Sequence, residues 1–355
     1  MSAQHYMQRA VDLAYQGQYT TRPNPAVGCV IVADGQVVGE GFHARAGQAH
    51  AEIVALQQAG ARAQGATAYI TLEPCSHQGK TGPCVDALIQ AGIAHVEIAM
   101  LDPNPQVNGQ GVQKLQAVGI TVQIGLLGKA AQSLNQGFCY SMKNHRPYVR
   151  AKLAMSLDGR TAMASGESKW ITGGPARQDV QKLRARSGAI VTGIGTVLAD
   201  DPALTVRFDD AIPPPIRVVC DRELRIPVNS QLVQTARQVP VWVSHQANLP
   251  DKEAALVDAG VKVFSYQNLP SLLDVLHQHN IHDVLVEAGP TLIGQFIQQQ
   301  LINELWIYVA PKLMGNQTRP LLYLPGLEKM ADSMTFKLDS VEQIAQDVRL
   351  IYKCK

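Results

Sequence analysis

One histidine and two cysteines near the start of the chain could hold a metal ion. His50 begins a His-Ala-Glu triplet, and Cys75 and Cys84 follow, with a proline directly before the first cysteine. Zinc prefers tetrahedral coordination by nitrogen and sulfur, and three protein ligands leave the fourth position open for water. Because a structural zinc site normally closes all four positions, this ligand set predicts a catalytic zinc site.

Glu52 adds the group that hydrolytic chemistry would need beside such a metal. It follows His50 by two residues, close enough to reach a water at the open position without being a ligand itself. Zinc lowers the pKa of a bound water from about 15.7 towards roughly 7, so hydroxide forms at neutral pH. A neighbouring carboxylate can carry the released proton to a departing amine, so we expect Glu52 to be the catalytic residue.

The order His-x-Glu, then Pro-Cys, then Cys resembles the signature of the zinc deaminases, whose glutamate acts as general acid and base. Their common spacing is Cys-x-x-Cys, whereas eight residues separate Cys75 from Cys84 here. This wide spacing resembles the deaminase half of the bifunctional deaminase–reductases of riboflavin biosynthesis. A loop rich in glycine and proline could return the chain to the metal. Cys84 would then begin a helix, whose N-terminus favours a thiolate.

Composition limits the class of protein. The chain has 355 residues, of which 46% are apolar and 17% charged, so two globular domains are expected. A net charge of +2 without runs of like charge argues against a nucleic-acid partner. No apolar run approaches the roughly 18 residues that cross a bilayer, and no signal peptide begins the chain. With six cysteines and no sign of a disulfide framework, we expect a cytoplasmic protein with no membrane partner.

Helix and strand patterns alternate through residues 1–145. A helix is predicted over 3–16, a hairpin turn at Asp34-Gly35, and a helix over 50–59 with His50 and Glu52 in its first turn. The alternation predicts an α/β/α sandwich, and the resemblance implies the cytidine-deaminase-like form of it. Residues 137–146 show no clear periodicity, so we place the domain boundary near residue 145.

A second α/β domain is expected over residues 146–355, and three features indicate a phosphate-bearing cofactor. The strand 189–193 ends at Gly193, and Gly195 follows, but the third glycine of the dinucleotide fingerprint is absent. A strand followed by Gly289-Pro290 predicts a helix N-terminus that can bind an anion. Lys152, Arg184 and Arg207 carry charges suited to a sugar phosphate. Each feature alone also fits a tight turn or a solvated charge.

Three stretches resemble the reductase half of the same family: residues 152–160, 193–207 and 287–292. This resemblance implies a dihydrofolate-reductase-like α/β fold and NADPH as the cofactor. The implied cofactor contacts are Ala154, Trp170, Thr196, Asp200, Gly289, Pro290, Thr291, Leu292, Ile293, Gly294 and Gln295. The implied substrate contacts are Ser168, Arg184, Leu204, Arg207 and Glu287.

Several further residues are assigned roles as hypotheses. Arg222, just after a predicted strand, is a candidate for binding the 2′-phosphate of NADPH. Lys152 and Asp200 are candidates for handling the proton that accompanies reduction, or for orienting the opened sugar. In the first domain, Asn24, His43, His77 and Lys80 lie in loops, where solvated residues are the simplest interpretation. The resemblance makes Asn24 and Lys80 candidate substrate contacts.

The resemblance across both domains implies a bifunctional enzyme that requires Zn²⁺ and NADPH. Its first site would hydrolytically deaminate a diaminopyrimidinone that carries a phosphoribosylamino group. Its second site would then reduce the ribosyl group of the product to a ribityl chain. We expect this small-molecule substrate as the partner, and a homo-oligomer, either a dimer or a tetramer.

Two alternatives remain open at this point. A nucleic-acid-editing deaminase shares the His-x-Glu and cysteine pattern, although the wide cysteine spacing, the near-neutral charge and the long second domain argue against it. The second alternative is a reductase whose zinc domain is purely structural. Glu52 argues against the structural alternative, because a structural site has no use for a carboxylate beside an open coordination position.

Overall fold

The computed structural model describes residues 2–76, 82–105, 107–207 and 211–354. The chain divides into two compact units between Arg146 and Pro147. All three tryptophans, Trp170, Trp242 and Trp306, belong to the second unit. Within the described ranges, no helix is both long and apolar enough to cross a membrane.

The first unit is built on a five-stranded sheet. Its strands are β1 (Gly28–Ala33), β2 (Gln36–Phe42), β3 (Thr67–Ile70), β4 (His95–Ile98) and β5 (Thr121–Ile124). The order is β2-β1-β3-β4-β5, with β1 antiparallel to both neighbours and β3, β4 and β5 parallel. Asp34 and Gly35 both have positive φ, 50° and 73°, as a tight two-residue hairpin turn requires, so the predicted turn is confirmed.

Helices cover both faces of this sheet. They are α1 (Ala3–Gln16), α2 (Ala51–Ala59), α3 (Cys84–Gln90), α4 (Gln110–Ala117), α5 (Gly128–Leu134) and α6 (Gln136–Asn144), and a 3₁₀ turn (Gly60–Ala63) follows α2. Successive strand side chains point to opposite faces. Cys29 and Ile31 of β1 share a core with α2, α3 and α4, whereas Val30 and Val32 share one with α1 and α5. The predicted α/β/α sandwich is confirmed.

The approach of α2 to β2 depends on two glycines. Gly39 and Gly41 alternate along β2, and a Cβ on either one would lie well inside van der Waals contact of a carbonyl oxygen of α2. Glycine has no Cβ, so the helix can lie directly on the strand. This contact sets the first turn of α2, with His50 and Glu52, against the sheet.

Residues 137–146 show no clear periodicity in the sequence, yet α6 occupies most of them. Its buried residues are Gly137, Cys139 and Ser141. Small side chains at the buried positions give no hydrophobic period, since the helix makes its contacts without large apolar groups. Asn135, just before α6, ties this region to the sheet by hydrogen bonds of 2.8 and 2.9 Å with the backbone of Ala26.

The second unit is built on a nine-stranded sheet and a separate two-stranded ribbon. The strands are β6 (Tyr148–Ser156), β7 (Arg160–Ala162), β8 (Ala189–Gly193), β9 (Ile216–Cys220), β10 (Val241–His245), β11 (Lys262–Ser265), β12 (Asp283–Val286), β13 (Glu304–Ala310), β14 (Arg319–Pro320), β15 (Lys337–Ile344) and β16 (Asp347–Lys353). The sheet order is β11-β10-β9-β8-β12-β6-β13-β16-β15, parallel up to β13 and antiparallel beyond it. The ribbon pairs β7 with β14.

Helices again cover both faces. They are α7 (Gly174–Arg186), α8 (Ile194–Asp200), α9 (Gln231–Gln234), α10 (Pro250–Asp258), α11 (Leu269–Gln278) and α12 (Pro290–Gln298), and a 3₁₀ turn covers Met330–Asp332. The core on one face contains α11 and α12, and the core on the other contains α7 to α10. The predicted second α/β fold is confirmed. Because parallel strands end at one edge of the sheet, that edge is where such folds bind ligands.

Candidate functional site

Three potential metal ligands meet in the first unit. His50 lies directly before α2, Cys75 lies in the loop after β3, and Cys84 is the first residue of α3. The Nδ1 atom of His50 is 3.2 Å from Sγ of Cys84 and 3.6 Å from Sγ of Cys75, and all three atoms lie within 4.8 Å of one another. Ligands of a tetrahedral zinc ion should be roughly 3.5–3.8 Å apart, given the usual Zn–N and Zn–S bond lengths. The donor set therefore fits zinc.

The two cysteines are held together by backbone contacts as well. The N–H of Cys84 donates to Sγ of Cys75 at 3.3 Å, and the N–H of Val85 donates to the carbonyl oxygen of Cys75 at 3.2 Å. Hydrogen bonding from Cys84 lowers the pKa of Cys75. A cysteine must be deprotonated to bind a metal, so this arrangement prepares Cys75 as a ligand.

Glu52 lies in the first turn of α2, and only 3% of it is exposed. Burial raises the pKa of its carboxyl group to about 7, and the carboxyl lies beside the thiol of Cys84. A group whose pKa is near neutrality can both accept and donate a proton at physiological pH. The side chain thus has the position and the protonation range of a general acid–base.

A buried histidine connects the Pro-Asn-Pro loop to this cluster. His43 is 2% exposed, and its Nδ1 donates to the carbonyl oxygen of Ala49 at 3.1 Å. Burial lowers the pKa of His43, so Nε2 is free to accept a hydrogen bond from Nδ2 of Asn24 at 3.2 Å. The ring of His43 packs edge-on against that of His50, with centroids 5.2 Å apart. Asn24 is therefore brought next to the cluster, while His77 and Lys80 lie outside the described residues.

Glu73 contributes to the same region, although sequence reasoning assigned it no role. It is 3% exposed and accepts hydrogen bonds of 2.9–3.3 Å from four backbone N–H groups between residues 102 and 112. The carboxylate fastens this loop next to Cys75, two residues further along the chain. The only sequence signal was an acidic residue at the end of a strand, directly before Pro-Cys.

The second unit contains a cavity of about 800 Å³ at the carboxyl ends of β6, β8, β9 and β12. Strand-to-helix junctions at α8 and α12 form part of its wall. A Cβ on Gly195 or Gly289, at these junctions, would meet no described atom within 4 Å. Predicted reductase residues that line the cavity are Lys152, Ala154, Ser168, Thr196, Asp200, Arg222, Glu287, Gly289, Pro290, Thr291, Leu292 and Gln295.

Glu287 occupies the centre of a charged group in this cavity. Arg184 donates two hydrogen bonds to it, Nε to Oε2 at 2.8 Å and Nη2 to Oε1 at 2.7 Å. Burial alone would raise the pKa of Glu287, but Arg184, Lys152 and Arg207 together lower it to about 2. Burial also lowers the pKa of Lys152. The cavity therefore holds a permanent carboxylate beside a lysine that loses its proton more readily than usual.

Some predicted residues lie away from the cavity wall. Trp170 is 61% exposed, and the guanidinium carbon of Arg177 lies 4.6 Å from its ring centre. Leu204 is buried, and the side chain of Ile293, on α12, is fully buried in the hydrophobic core of the second unit. The remaining residues in this group are Gly294, which packs against the backbone of Tyr323, and Arg207, which directly precedes the undescribed residues 208–210.

Other residues that line the cavity were missed. They are Thr161, Ala162, Gly166, Glu223, Arg225, Tyr266 and Arg319. They come from loops and from the ribbon of β7 and β14, which carry no motif. The N-terminus of α12 and the cationic side chains in the lining suit a long anionic dinucleotide, so the residues present fit NADPH.

The chain matches two family models, one in each unit. Residues 1–100 match the cytidine and deoxycytidylate deaminase zinc-binding region, and residues 147–350 match the RibD C-terminal domain. The riboflavin biosynthesis protein RibD of Escherichia coli is 49% identical over 366 residues, covering 99% of both chains. The chain belongs to the RibD family.

Other RibD proteins give the same result. The Haemophilus influenzae protein is 48% identical, over 99% of this chain and 97% of that one. A solved structure of Acinetobacter baumannii RibD superposes with a TM-score of 0.94 at 49% identity, covering 99% and 98% of the two chains. A second solved structure, from Thermotoga maritima, superposes with a TM-score of 0.88 at 32% identity, covering 99% and 98% of the two chains. That protein is described as a diaminohydroxyphosphoribosylaminopyrimidine deaminase/5-amino-6-(5-phosphoribosylamino)uracil reductase.

Membership of the RibD family makes the protein a bifunctional enzyme of riboflavin biosynthesis, with a zinc-dependent deaminase and an NADPH-dependent reductase. A nucleic-acid-editing deaminase does not account for a match that extends through the second unit. A purely structural zinc domain does not account for Glu52, buried beside the three ligand atoms. Both alternatives are set aside.

Proposed function

We propose that the two activities are divided between the domains, with deamination in residues 1–145 and reduction in residues 146–355. The main support is that the deaminase match covers 1–100 and the RibD C-terminal match covers 147–350. We propose as substrate a diaminopyrimidinone that carries a phosphoribosylamino group, in line with the activities for which the Thermotoga relative is named. Reduction then acts on the deaminated product.

In the deaminase site, His50, Cys75 and Cys84 would hold zinc, which supplies a Lewis acid that makes a water molecule acidic. Glu52 takes a proton as water adds to the amine-bearing carbon of the pyrimidine. It then delivers a proton to the departing nitrogen, while the second proton of the water ends on the neighbouring ring nitrogen, so ammonia leaves and a carbonyl remains. Asn24, held by His43, contacts the pyrimidine, and Lys80 is a second substrate contact.

In the reductase site, NADPH supplies the hydride for C1′ of the sugar. The protein binds and orients the two reactants. Arg184 and Glu287 form a rigid pair that orients the substrate, with Ser168, Leu204 and Arg207 as further contacts. Lys152, whose pKa burial lowers, donates or directs the accompanying proton together with Asp200.

The cofactor occupies the cavity at the strand ends. Its contacts are Ala154, Trp170, Thr196, Asp200, Arg222, Gly289, Pro290, Thr291, Leu292, Ile293, Gly294 and Gln295. The N-terminus of α12 supports this placement, since a helix start favours phosphate.

We also propose that the enzyme works in the cytoplasm as a homo-oligomer, either a dimer or a tetramer. None of its six cysteines forms a disulfide in the described residues, which suits a reducing compartment. Leu338 and Val341 are 49% and 58% exposed on β15, the edge strand of the large sheet, where a second copy would cover them. Light scattering on the purified protein gives the number of copies.

The experiment that tests the proposal is an ammonia assay with zinc-loaded protein and the proposed substrate, without NADPH. Ammonia release is expected, followed by NADPH oxidation once the cofactor is added. If ammonia appeared only after NADPH was added, reduction would precede deamination and the proposed order would be wrong. NADPH oxidation without ammonia at any stage would instead contradict the deaminase assignment.

A further inference from the structure

The reductase cavity contains two arginines whose charges are left for a ligand. The cationic residues in its described lining are Lys152, Arg222, Arg225 and Arg319. Arg225 forms an ion pair with Glu223 at 3.3 Å, and Lys152 interacts electrostatically with the carboxylate of Glu287. Neither Arg222 nor Arg319 makes a side-chain hydrogen bond or ion pair to any part of the chain that the structure describes. These two guanidinium groups therefore face the cavity without a protein counter-charge.

Arg222 and Arg319 belong to different elements of the cavity lining. Arg222 follows β9, whereas Arg319 belongs to β14, which pairs with Ala162 of β7, the strand directly after β6. In the sheet, β9 is separated from β12 by one strand and from β6 by two. At about 4.8 Å per strand, β9 lies roughly 10 Å from β12 and roughly 14 Å from β6. Arg222 and Arg319 thus reach the cavity from different elements and can meet two different anionic groups.

The segment that carries Arg319 runs beside the start of α12. Four residues after it, the N–H of Tyr323 donates to the carbonyl oxygen of Pro290 at 3.3 Å. A Cβ on Gly294 would collide with the carbonyl oxygen of Tyr323, so helix and segment are in close backbone contact. Arg319 and the first residues of α12 line the same cavity. A helix N-terminus and a guanidinium group at one place both favour phosphate oxygens.

We propose that Arg319 binds the pyrophosphate of NADPH together with the N-terminus of α12. This inference rests on the proposed placement of NADPH in the cavity. NADPH carries negative charge in two places, its pyrophosphate and its 2′-phosphate, which matches the two free guanidinium groups. Arg222 is then left for the 2′-phosphate. Of the two arginines predicted to contact the substrate, Arg207 is left for the substrate phosphate, because Arg184 is paired with Glu287.

The test compares two alanine variants by equilibrium binding, with NADPH, NADH and adenosine 2′-monophosphate as probes. Wild-type binding of NADPH is measured first, and this step tests the placement of the cofactor separately. R319A should weaken NADPH and NADH equally, by about 10- to 100-fold, the usual value of hydrogen bonds to a charged group. It should leave adenosine 2′-monophosphate, which has no pyrophosphate, unaffected.

R222A is the control for R319A, because it removes the other arginine and should affect a different set of the three probes. It should weaken NADPH and adenosine 2′-monophosphate and leave NADH nearly unchanged. If R319A instead weakened NADPH but not NADH, Arg319 would bind the 2′-phosphate, and the proposal would be wrong. A raised KM for the pyrimidine substrate with unchanged NADPH binding would assign Arg319 to the substrate phosphate and overturn it as well.

Conservative variants separate loss of the contact from loss of the fold. R319K keeps a positive charge and should retain more NADPH affinity than R319Q, which is similar in size but neutral. Both should unfold at the wild-type temperature, because the guanidinium makes no side-chain hydrogen bond or ion pair to a described residue. Equal NADPH affinities for R319K and R319Q would show that the charge at this position does not bind the cofactor.

Discussion

Glu52 is almost completely buried, and this burial raises the pKa of its carboxyl group to about 7. Replacing it with glutamine keeps its size and removes its ability to carry a proton. We expect Glu52→Gln to reduce ammonia release by about 10²- to 10⁴-fold, the usual contribution of general acid–base transfer. Zinc content and reductase activity in the same preparation are the controls. A variant that had lost its zinc would show that Glu52 is a ligand.

Arg184 illustrates how strongly one residue depends on its partner. Its two hydrogen bonds stabilise the charge on Glu287, and both side chains are largely buried. Arg184→Met would leave that carboxylate without its partner, which costs about 3–5 kcal/mol of unfolding free energy for a buried pair. The double variant Arg184→Met/Glu287→Leu should recover part of this stability, because the carboxylate is removed together with its partner, although Lys152 then loses the neighbouring negative charge. Denaturant unfolding measures both, and a single variant as stable as the wild type would contradict the argument.

At the level of elements, α2 depends on the glycines beneath it. Gly41→Ala would push α2 away from β2 and displace His50 and Glu52 from the two cysteines. We expect zinc to be lost faster to a chelator and ammonia release to fall at least about 10-fold, since small displacements of catalytic groups are costly. Gly82→Ala is the control, because a Cβ there meets no described atom within 4 Å. Equal zinc retention in the two variants would show that the close approach is not needed.

Elements with a strong local pattern could be predicted from sequence. The helix at 3–16, the strand at 189–193 and the hairpin at Asp34-Gly35 lie at the predicted positions. The cluster of His50, Cys75 and Cys84 assembles as their motif predicts. A zinc site requires particular residue types in a recognisable order, so the sequence alone can reveal it.

Other elements had no local signal. The small buried residues of α6 hide its helical period. The ribbon of β7 and β14 joins segments more than 150 residues apart, and its pairing depends on the fold of the whole second unit. Arg319 comes from this ribbon, so nothing near it in the sequence indicates that it faces a cavity.

For the whole molecule, the two units should respond independently to loss of metal. The three ligands of the zinc site, His50, Cys75 and Cys84, lie in the first unit, and all tryptophans lie in the second. A zinc chelator should abolish ammonia release while NADPH affinity and the unfolding transition seen by tryptophan fluorescence stay unchanged. Adding zinc back should restore deamination. A shift of the tryptophan transition on chelation would show that the second unit draws stability from the first.

The second unit should also lose stability in mild acid. Burial lowers the pKa of His282 to about 4, against about 6.5 in an unfolded chain. The unfolded state therefore binds the proton first, and stability present above pH 6.5 is lost as the pH falls towards 4. Between pH 7 and pH 5 we expect a loss of about 2 kcal/mol from this group.

Denaturant unfolding followed by tryptophan fluorescence measures this loss, and His282→Gln should reduce it. The pKa values of Glu287 and Glu304 are lowered to about 2, so the stability these carboxylates contribute is lost below pH 4.5, outside this window. Identical pH dependence in wild type and variant would exclude His282 as the source.

The contacts between the ends of the 76–83 segment bear on how this enzyme could evolve. Cys75 and Val85 are joined by a backbone hydrogen bond, and the sulfur of Cys75 accepts another from the N–H of Cys84. With both ends clamped, lengthening the segment costs only about 0.6 kcal/mol for each doubling. Insertions there therefore need not separate the two cysteine ligands, and the hydrolytic centre tolerates variation in length between them.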